Sequence, residues 1–233
     1  MADEEAGTLL LRSEAQREAV QLTLTYLTEL DRVAAQIGDM VRQVFEELTS
    51  IDRSEIERFI EMAQPYTNAG QAEGADLAAA YLSELTGQSL SAVDVTYPAI
   101  DFEGPFLRTW HNLSEHMPYE EARLGGSSVA EMTGYDAVND GAGARMGQPG
   151  LKVMGYRRVI SAKACEWCRV VATQLYRSAS SATFGHHGCK CTVVAVPRDN
   201  DPTKAINQAR LRELKAQGSV ERISQARERS RNR

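Results

Sequence analysis

Long apolar runs are missing from this 233-residue chain: no stretch approaches the roughly 18 uninterrupted apolar residues that a membrane-spanning helix needs. That excludes an integral membrane protein of the helical kind, and no membrane partner is expected. No secretory signal is expected either, since Met1-Ala2-Asp3-Glu4-Glu5 is acidic where such a signal is basic and then apolar. The expectation is a chain made and kept in the cytoplasm. Aromatic residues are scarce at 6%, no internal repeat is visible, and there are only four cysteines. The apolar and charged fractions, 42% and 25%, are those of an ordinary soluble chain, which excludes collagen-like, wholly disordered and purely coiled-coil readings. The length is ample to bury a core without disulfide stapling.

The formal charge of −6 is unevenly spread. From Arg198 to Arg233 ten Lys or Arg face five Asp or Glu, a net +5, which leaves −11 for the rest of the chain. Such polarity can turn a basic tail toward nucleic acid while the acidic body is repelled. A simply solvated tail is the plainer reading.

Apolar residues recur at Val20, Leu24, Leu27, Leu30, Ala34, Ile37, Val41, Val44 and Leu48, the three-and-four spacing of one helical face, and predict a long helix from about Ser13 to Leu48. Ser13 is its candidate cap, with Glu14, Glu18, Arg32 and Arg42 on the solvated side. Asp52 or Ser54 starts a second helix that Pro65 is expected to stop, and a third runs from about Ala69 to Leu85 with Gly87 just past its end. Residues 89–106 read as an extended connection because Pro98 and Pro105 interrupt any helical period. Weak helical pattern returns over Phe106 to Trp110 and Tyr119 to Leu124, then over Val129 to Met146, with Gly125-Gly126-Ser127-Ser128 read as a turn. Gly147-Gln148-Pro149-Gly150 is a turn signal and the expected main boundary. Past it the period becomes two, predicting strands at Met154–Ile160 and Thr192–Val196. A last helix, Pro202–Ala216, has Asp201 at its cap and proline at its first position. Beyond Gly218 the sequence is polar and Arg-rich, and disorder is expected. The fold class expected is a mainly α N-terminal region, residues 1–146, followed by a small α+β zinc-knuckle module at 151–197 and a C-terminal helix with a basic tail at 198–233.

All four cysteines fall within 27 residues, as Cys165-Glu166-Trp167-Cys168 and His186-His187-Gly188-Cys189-Lys190-Cys191. A cytosolic chain that spends its whole cysteine content in one patch argues for metal over disulfide. A C-x-x-C turn lets two thiolates converge on one ion, and a second short knuckle completes a tetrahedron. Zinc suits mixed sulfur and imidazole ligation in a reducing compartment. Cys165 and Cys168 are the first two ligands, and the other two places fall among His186, Cys189 and Cys191, ahead of His187. The ion would hold the two flanking strands side by side and offset the small core of a segment of about 50 residues. Reduced buried thiols and a redox C-x-x-C are the alternatives. A closed structural site is expected over a catalytic one despite the nearby Glu166, because four strong ligands are available.

No other constellation carries chemistry of comparable specificity. The deaminase pattern of His-x-Glu followed by Pro-Cys-x-x-Cys is absent. His111 and His116 lie near Ser114 and Glu115, but no G-x-S-x-G elbow supports a catalytic triad there. No catalytic or organic-cofactor residue is therefore assigned. Gly125-Gly126-Ser127-Ser128 lacks the lysine and spacing of a phosphate loop. Ser178-Ala179-Ser180-Ser181 reads as a flexible loop closing the knuckle, and Trp167 as packing over the metal site, with an exposed aromatic anchor for a partner as the alternative.

The strand Gly155-Tyr156-Arg157-Arg158-Val159, then Cys165-x-x-Cys168, Leu175-Tyr176-Arg177 and His186-x-x-Cys189-x-Cys191 before Val193 to Pro197, behind a helical region, resembles the MuF-like minor capsid or head-morphogenesis proteins of tailed bacteriophages. The resemblance is to the short versions in phages of actinobacteria, sometimes labelled capsid maturation proteases. It spans about Met154 to Pro197, whereas the helical part is similar only in character and order. It implies a virion component of the phage head, made in the host cytoplasm, present in few copies and associated with the portal protein. Head assembly or early DNA delivery would be its role, with major capsid or scaffold protein as further partners and non-specific DNA contact through the basic tail. A processing protease acting on capsid or scaffold protein is the alternative reading, without a persuasive nucleophile and base.

Overall fold

The computed structural model describes residues 14–50, 52–90, 95–100, 102, 111, 118–161, 164, 166–182, 190–198 and 201–216. Among them the architecture is mainly helical with one two-stranded antiparallel sheet, in the order α1 (Glu14–Glu46), α2 (Arg53–Thr86), α3 (Tyr119–Met146), β1 (Val153–Val159), α4 (Glu166–Val171), α5 (Ala179–Ala182), β2 (Thr192–Pro197) and α6 (Pro202–Ala216). None of these helices is long and apolar enough to cross a membrane. Two compact units are formed, one from Thr28–Ala80 with Ala92–Arg145, the other from Met1–Leu27, Tyr81–Ser91 and Met146–Arg233.

The helical unit is built on close backbone approach. A Cβ placed on Gly141 of α3 would stand 1.9 Å from the Gln71 carbonyl oxygen of α2, and one on Gly74 would stand 2.1 Å from that of Val138. Gly38 and Gly134 bring α1 and α3 together in the same way, each with a backbone oxygen 2.8 Å from the missing Cβ. Phe45, Phe59 and Phe102 fill the space beside this seam edge to face, with ring centroids 5.5 and 6.3 Å apart. The Tyr135 hydroxyl donates to Asp31 at 2.5 Å, and the Gln71 amide donates to the Pro98 carbonyl at 2.8 Å, tying down the connecting segment.

The spacing read from the sequence places α1 correctly, with Val20, Leu30, Ala34, Ile37, Val41, Val44 and Leu48 buried, although it passes over Tyr26, Val33 and Phe45, which are buried too. Two expectations are corrected. Pro65 does not stop a helix: α2 runs through it for 34 residues. Pro65 sits on the exposed side, where water can satisfy the carbonyl that loses its donor, while Phe59, Ala63 and Thr67 hold the buried side. The run Gly125-Gly126-Ser127-Ser128 is likewise no turn but part of α3, because Ala122, Ser127, Val129 and Ala130 are buried there and packing overrides weak propensity. Helix ends follow expectation. Asp52 caps α2 through the Glu55 amide at 3.0 Å, and Gly87 follows its end with φ +64°. The capping role of Ser13, the helix over Phe106 to Trp110 and the tail beyond Gly218 lie outside the described residues.

In the second unit β1 and β2 pair antiparallel from Val153 opposite Pro197 to Val159 opposite Thr192, with an irregularity between Val153 and Gly155. Gln88 clamps the start of β1, accepting from the Lys152 amide at 2.8 Å and donating to the Gly150 carbonyl at 3.2 Å. The free edge of β1 is used once more, where Tyr156 and Tyr176 exchange reciprocal backbone hydrogen bonds of 2.8 Å. That approach requires Gly155, since a Cβ there would stand 2.4 Å from the Tyr176 oxygen. Tyr26 and Tyr81 stack with centroids 4.4 Å apart, the Tyr81 hydroxyl lies 3.0 Å from that of Thr23, and burial raises both tyrosines above the usual range.

Candidate metal centre

Strand register places the first sulfur. Thr192 pairs with Val159, so Cys191 just before β2 comes beside Ile160 and Ser161 just after β1. The Ser161 amide donates to Cys191 Sγ at 3.4 Å, and the Ser161 hydroxyl lies 3.9 Å from the same sulfur. Helical period places the second. Ala164, Cys168 and Ala172 recur every fourth residue along and around α4, so they share one face, and they pack with Ile160, Cys191, Leu214 and the partly buried Leu211. Cys168 is fully buried and Cys191 nearly so.

One side chain of α6 locks these pieces together. Buried Asn207 donates from Nδ2 to the Arg158 carbonyl at 2.8 Å and to the Ala172 carbonyl at 3.1 Å, and its Oδ1 accepts from the Ile160 amide at 3.1 Å. It thereby fixes the end of β1 against the end of α4. Arg210, one turn on, donates to the Ile160 carbonyl. Asp201 caps α6 through the Lys204 amide at 3.0 Å, as expected, and also holds Arg157 at 2.8 Å, whose other nitrogen donates to the Thr173 carbonyl at 2.8 Å.

Arg158 occupies the opposite face of β1 and is 3% exposed. Its Nη1 donates to Cys168 Sγ at 3.8 Å, its Nε donates to the Ala182 carbonyl at 3.2 Å, and its guanidinium lies 5.6 Å from the Trp167 ring centroid. Trp167 itself is 44% exposed: it covers Arg158 with one face and offers the rest to solvent, instead of lying wholly inside the site. Burial raises the Tyr176 hydroxyl above its usual range, and the Arg158 charge opposes that rise.

The stretch expected as a flexible loop is corrected. Ala179–Ala182 forms the short helix α5, started by Ser178, whose hydroxyl accepts from the Ser181 amide at 3.2 Å. Of the five candidate ligands, Cys168 and Cys191 are thus brought into one cluster, while Cys165, His186 and Cys189 lie outside the described residues, as does His187. Among the described residues no group of three or more His, Cys, Asp or Glu is placed so that it could hold a metal ion. The two sulfurs that are described fit a thiolate-bound metal: each accepts an N–H, and an apolar cluster surrounds them. His111 is exposed, and Ser114, Glu115 and His116 lie outside the described residues.

Sequence reading missed Arg158, Ser161 and Asn207. Arg158 had a signal: Arg157 and Arg158 stand together inside an alternating strand, so one must face each side, and charges on both sides of a strand between apolar segments need anchors. Asn207 had none, because a polar residue on a polar helix carries no mark of burial.

Residues 129–214 match the model of the VG15 protein family, a family of phage virion genes. The matched segment contains most of α3 and runs through β1, the cysteine cluster and β2 to Leu214 of α6. No curated protein and no solved structure matches the chain.

Proposed function

We propose that the chain is a minor capsid protein of a tailed phage, associated with the portal and involved in head assembly or DNA delivery, with a structural zinc site. The observation that carries the reading is the VG15 match over residues 129–214, which encloses the whole Cys/His pattern that resembles MuF-like head proteins. Four of Cys165, Cys168, His186, Cys189 and Cys191 would hold the zinc. Such an ion supplies a closed cross-link and no reaction chemistry. The chain's own residues then do the positioning: Asn207 and the strand register set Cys191 beside the α4 face that carries Cys168. The net +5 of the segment from Arg198 supports contact with packaged DNA.

Co-expression with the portal, scaffold and major capsid proteins of a tailed phage that carries this chain tests the reading. The chain is expected to sediment with portal-containing heads in few copies, and Cys165→Ser with Cys168→Ser to release about one zinc and lose that association. Heads that assemble in the same number without incorporating the chain would overturn the proposal. Capsid or scaffold protein that is cleaved with the wild-type chain but left intact with His111→Ala or Ser114→Ala would replace it with the processing-protease reading.

A further inference from the structure

We infer that Arg158 is a positioning residue for the metal-bound form, its buried guanidinium balancing the negative charge of the thiolate cluster through Cys168. The inference rests on the zinc reading above and deepens it. A divalent ion with three or four thiolates carries one or two excess negative charges. Cys168 lies among Ile160, Ala164, Ala172 and Leu214, so the share of that charge on its sulfur would be poorly solvated and would cost free energy unless a counter-charge stood close. Arg158 supplies one from the strand next to the site. The contacts that fix it include Nη1 on Cys168 Sγ at 3.8 Å, Nε on the Ala182 carbonyl at 3.2 Å, and the Trp167 ring 5.6 Å from the guanidinium carbon. The planar fork lets one nitrogen anchor on backbone while another addresses sulfur, which a lysine cannot do. Cys191 is served differently, by the backbone amide of Ser161 at 3.4 Å. The Arg158 charge at Cys168 can be removed by mutation, whereas the Ser161 amide at Cys191 cannot.

The test uses the full chain as wild type, Arg158→Lys, Arg158→Gln, Cys168→Ser and the Arg158→Gln/Cys168→Ser double variant. Each is loaded with zinc for chelator-driven release and with cobalt for the near-ultraviolet thiolate-to-cobalt band. Arg158→Gln should release zinc roughly 10- to 100-fold faster, the range for groups that support metal ligands. Its cobalt band should move to longer wavelength, because a sulfur without its positive neighbour gives up electron density more easily. Arg158→Lys should fall between. In the Cys168→Ser background the Arg158→Gln change should add little, whereas a purely structural arginine would cost the same in both backgrounds. Unchanged release and band position in Arg158→Gln overturn the inference while leaving the zinc reading intact. Insolubility of Arg158→Gln with and without Cys168→Ser overturns it too, since that outcome assigns Arg158 to the fold alone. A wild-type chain that holds neither zinc nor a thiolate-to-cobalt band defeats the underlying zinc reading instead.

Discussion

Replacing Asn207 removes a side chain that joins β1, α4 and α6 at the cysteine cluster, and the three hydrogen bonds it makes allow the cost to be worked out. Asn207→Leu keeps the approximate volume but strands the Arg158 carbonyl, the Ala172 carbonyl and the Ile160 amide in a buried place. Each stranded group costs about 1–3 kcal/mol, and with partial relaxation the sum is roughly 3–6 kcal/mol. That is a large share of the whole stability of an ordinary domain, about 5–15 kcal/mol. Asn207→Asp gives a sharper result. Its carboxylate can still accept from Ile160, but its second oxygen then faces two carbonyls. Burial and those carbonyls raise the carboxyl above its unfolded value of about 3.9. An acid whose folded pKa is raised loses stability as pH climbs from the unfolded to the folded value, so relative to wild type the variant should be weaker at pH 8 than at pH 5. Urea unfolding followed at Trp167 in a Trp110→Phe background, at both pH values, measures this. Asn207→Leu within about 1 kcal/mol of wild type, or Asn207→Asp relatively stronger at pH 8, would refute the assigned bonding.

Two further outcomes follow from the helical unit. Gly141→Ala gains about 1 kcal/mol of helix propensity but drives its Cβ into the Gln71 backbone, so a net loss of about 2 kcal/mol or more is expected. Gly70→Ala meets only the side-chain ends of Ile37 and Val138 at 3.1 Å and should stay within about 1 kcal/mol of wild type. Circular-dichroism melts of the two decide the matter, and equal melting temperatures would contradict the close α2–α3 approach. At the start of α2 the hydroxyls of Ser50 and Ser54 and the Glu55 amide hold the Asp52 carboxyl down to about 2. A depressed acid contributes stability that is present above its unfolded pKa and lost as pH falls through its folded one. Asp52→Asn, which can still cap, should therefore flatten the fall in stability between about pH 4 and pH 2, read from acid titrations of helical content.

Period and punctuation made most elements legible in the sequence. The three-and-four spacing marked α1, the alternation from Met154 marked β1, and Asp201-Pro202 marked the start of α6, because each signal is local. The failures are places where a local signal loses to packing. Pro65 and Gly125-Gly126 would each end an isolated helix, yet both lie inside long ones whose buried faces continue on either side. The glycines of α3 looked like weak helix formers, and the structure shows Gly141 touching the backbone of α2 instead. At the candidate site the clustering of cysteines was legible because their spacing is written along the chain. The groups that orient the sulfurs were not, since Asn207 stands 49 residues from Arg158 and nothing local links them.

Burial of both faces explains how so small a sheet can carry a charged pair of neighbours. From Gly155 to Val159 every residue of β1 is buried, although two strands usually leave one face to water. Arg157 and Arg158 point to opposite sides, and each side meets a different element: Asp201 at the head of α6 takes Arg157, while Ala182 of α5 and Cys168 of α4 take Arg158. The sheet is therefore held by polar anchors on both faces as well as by its own ladder. Because Asn207 also reaches the strand end from α6, the two described sulfurs are brought into one cluster by the chain's own hydrogen bonds. A metal added to such a pair spends less of its binding free energy on ordering the chain than one that must gather ligands from an unfolded segment. On the proposed zinc reading, stripping the ion from the wild-type chain should weaken the cysteine-bearing unit without unpairing β1 from β2, and amide hydrogen exchange across Val153–Val159 separates that outcome from wholesale unfolding.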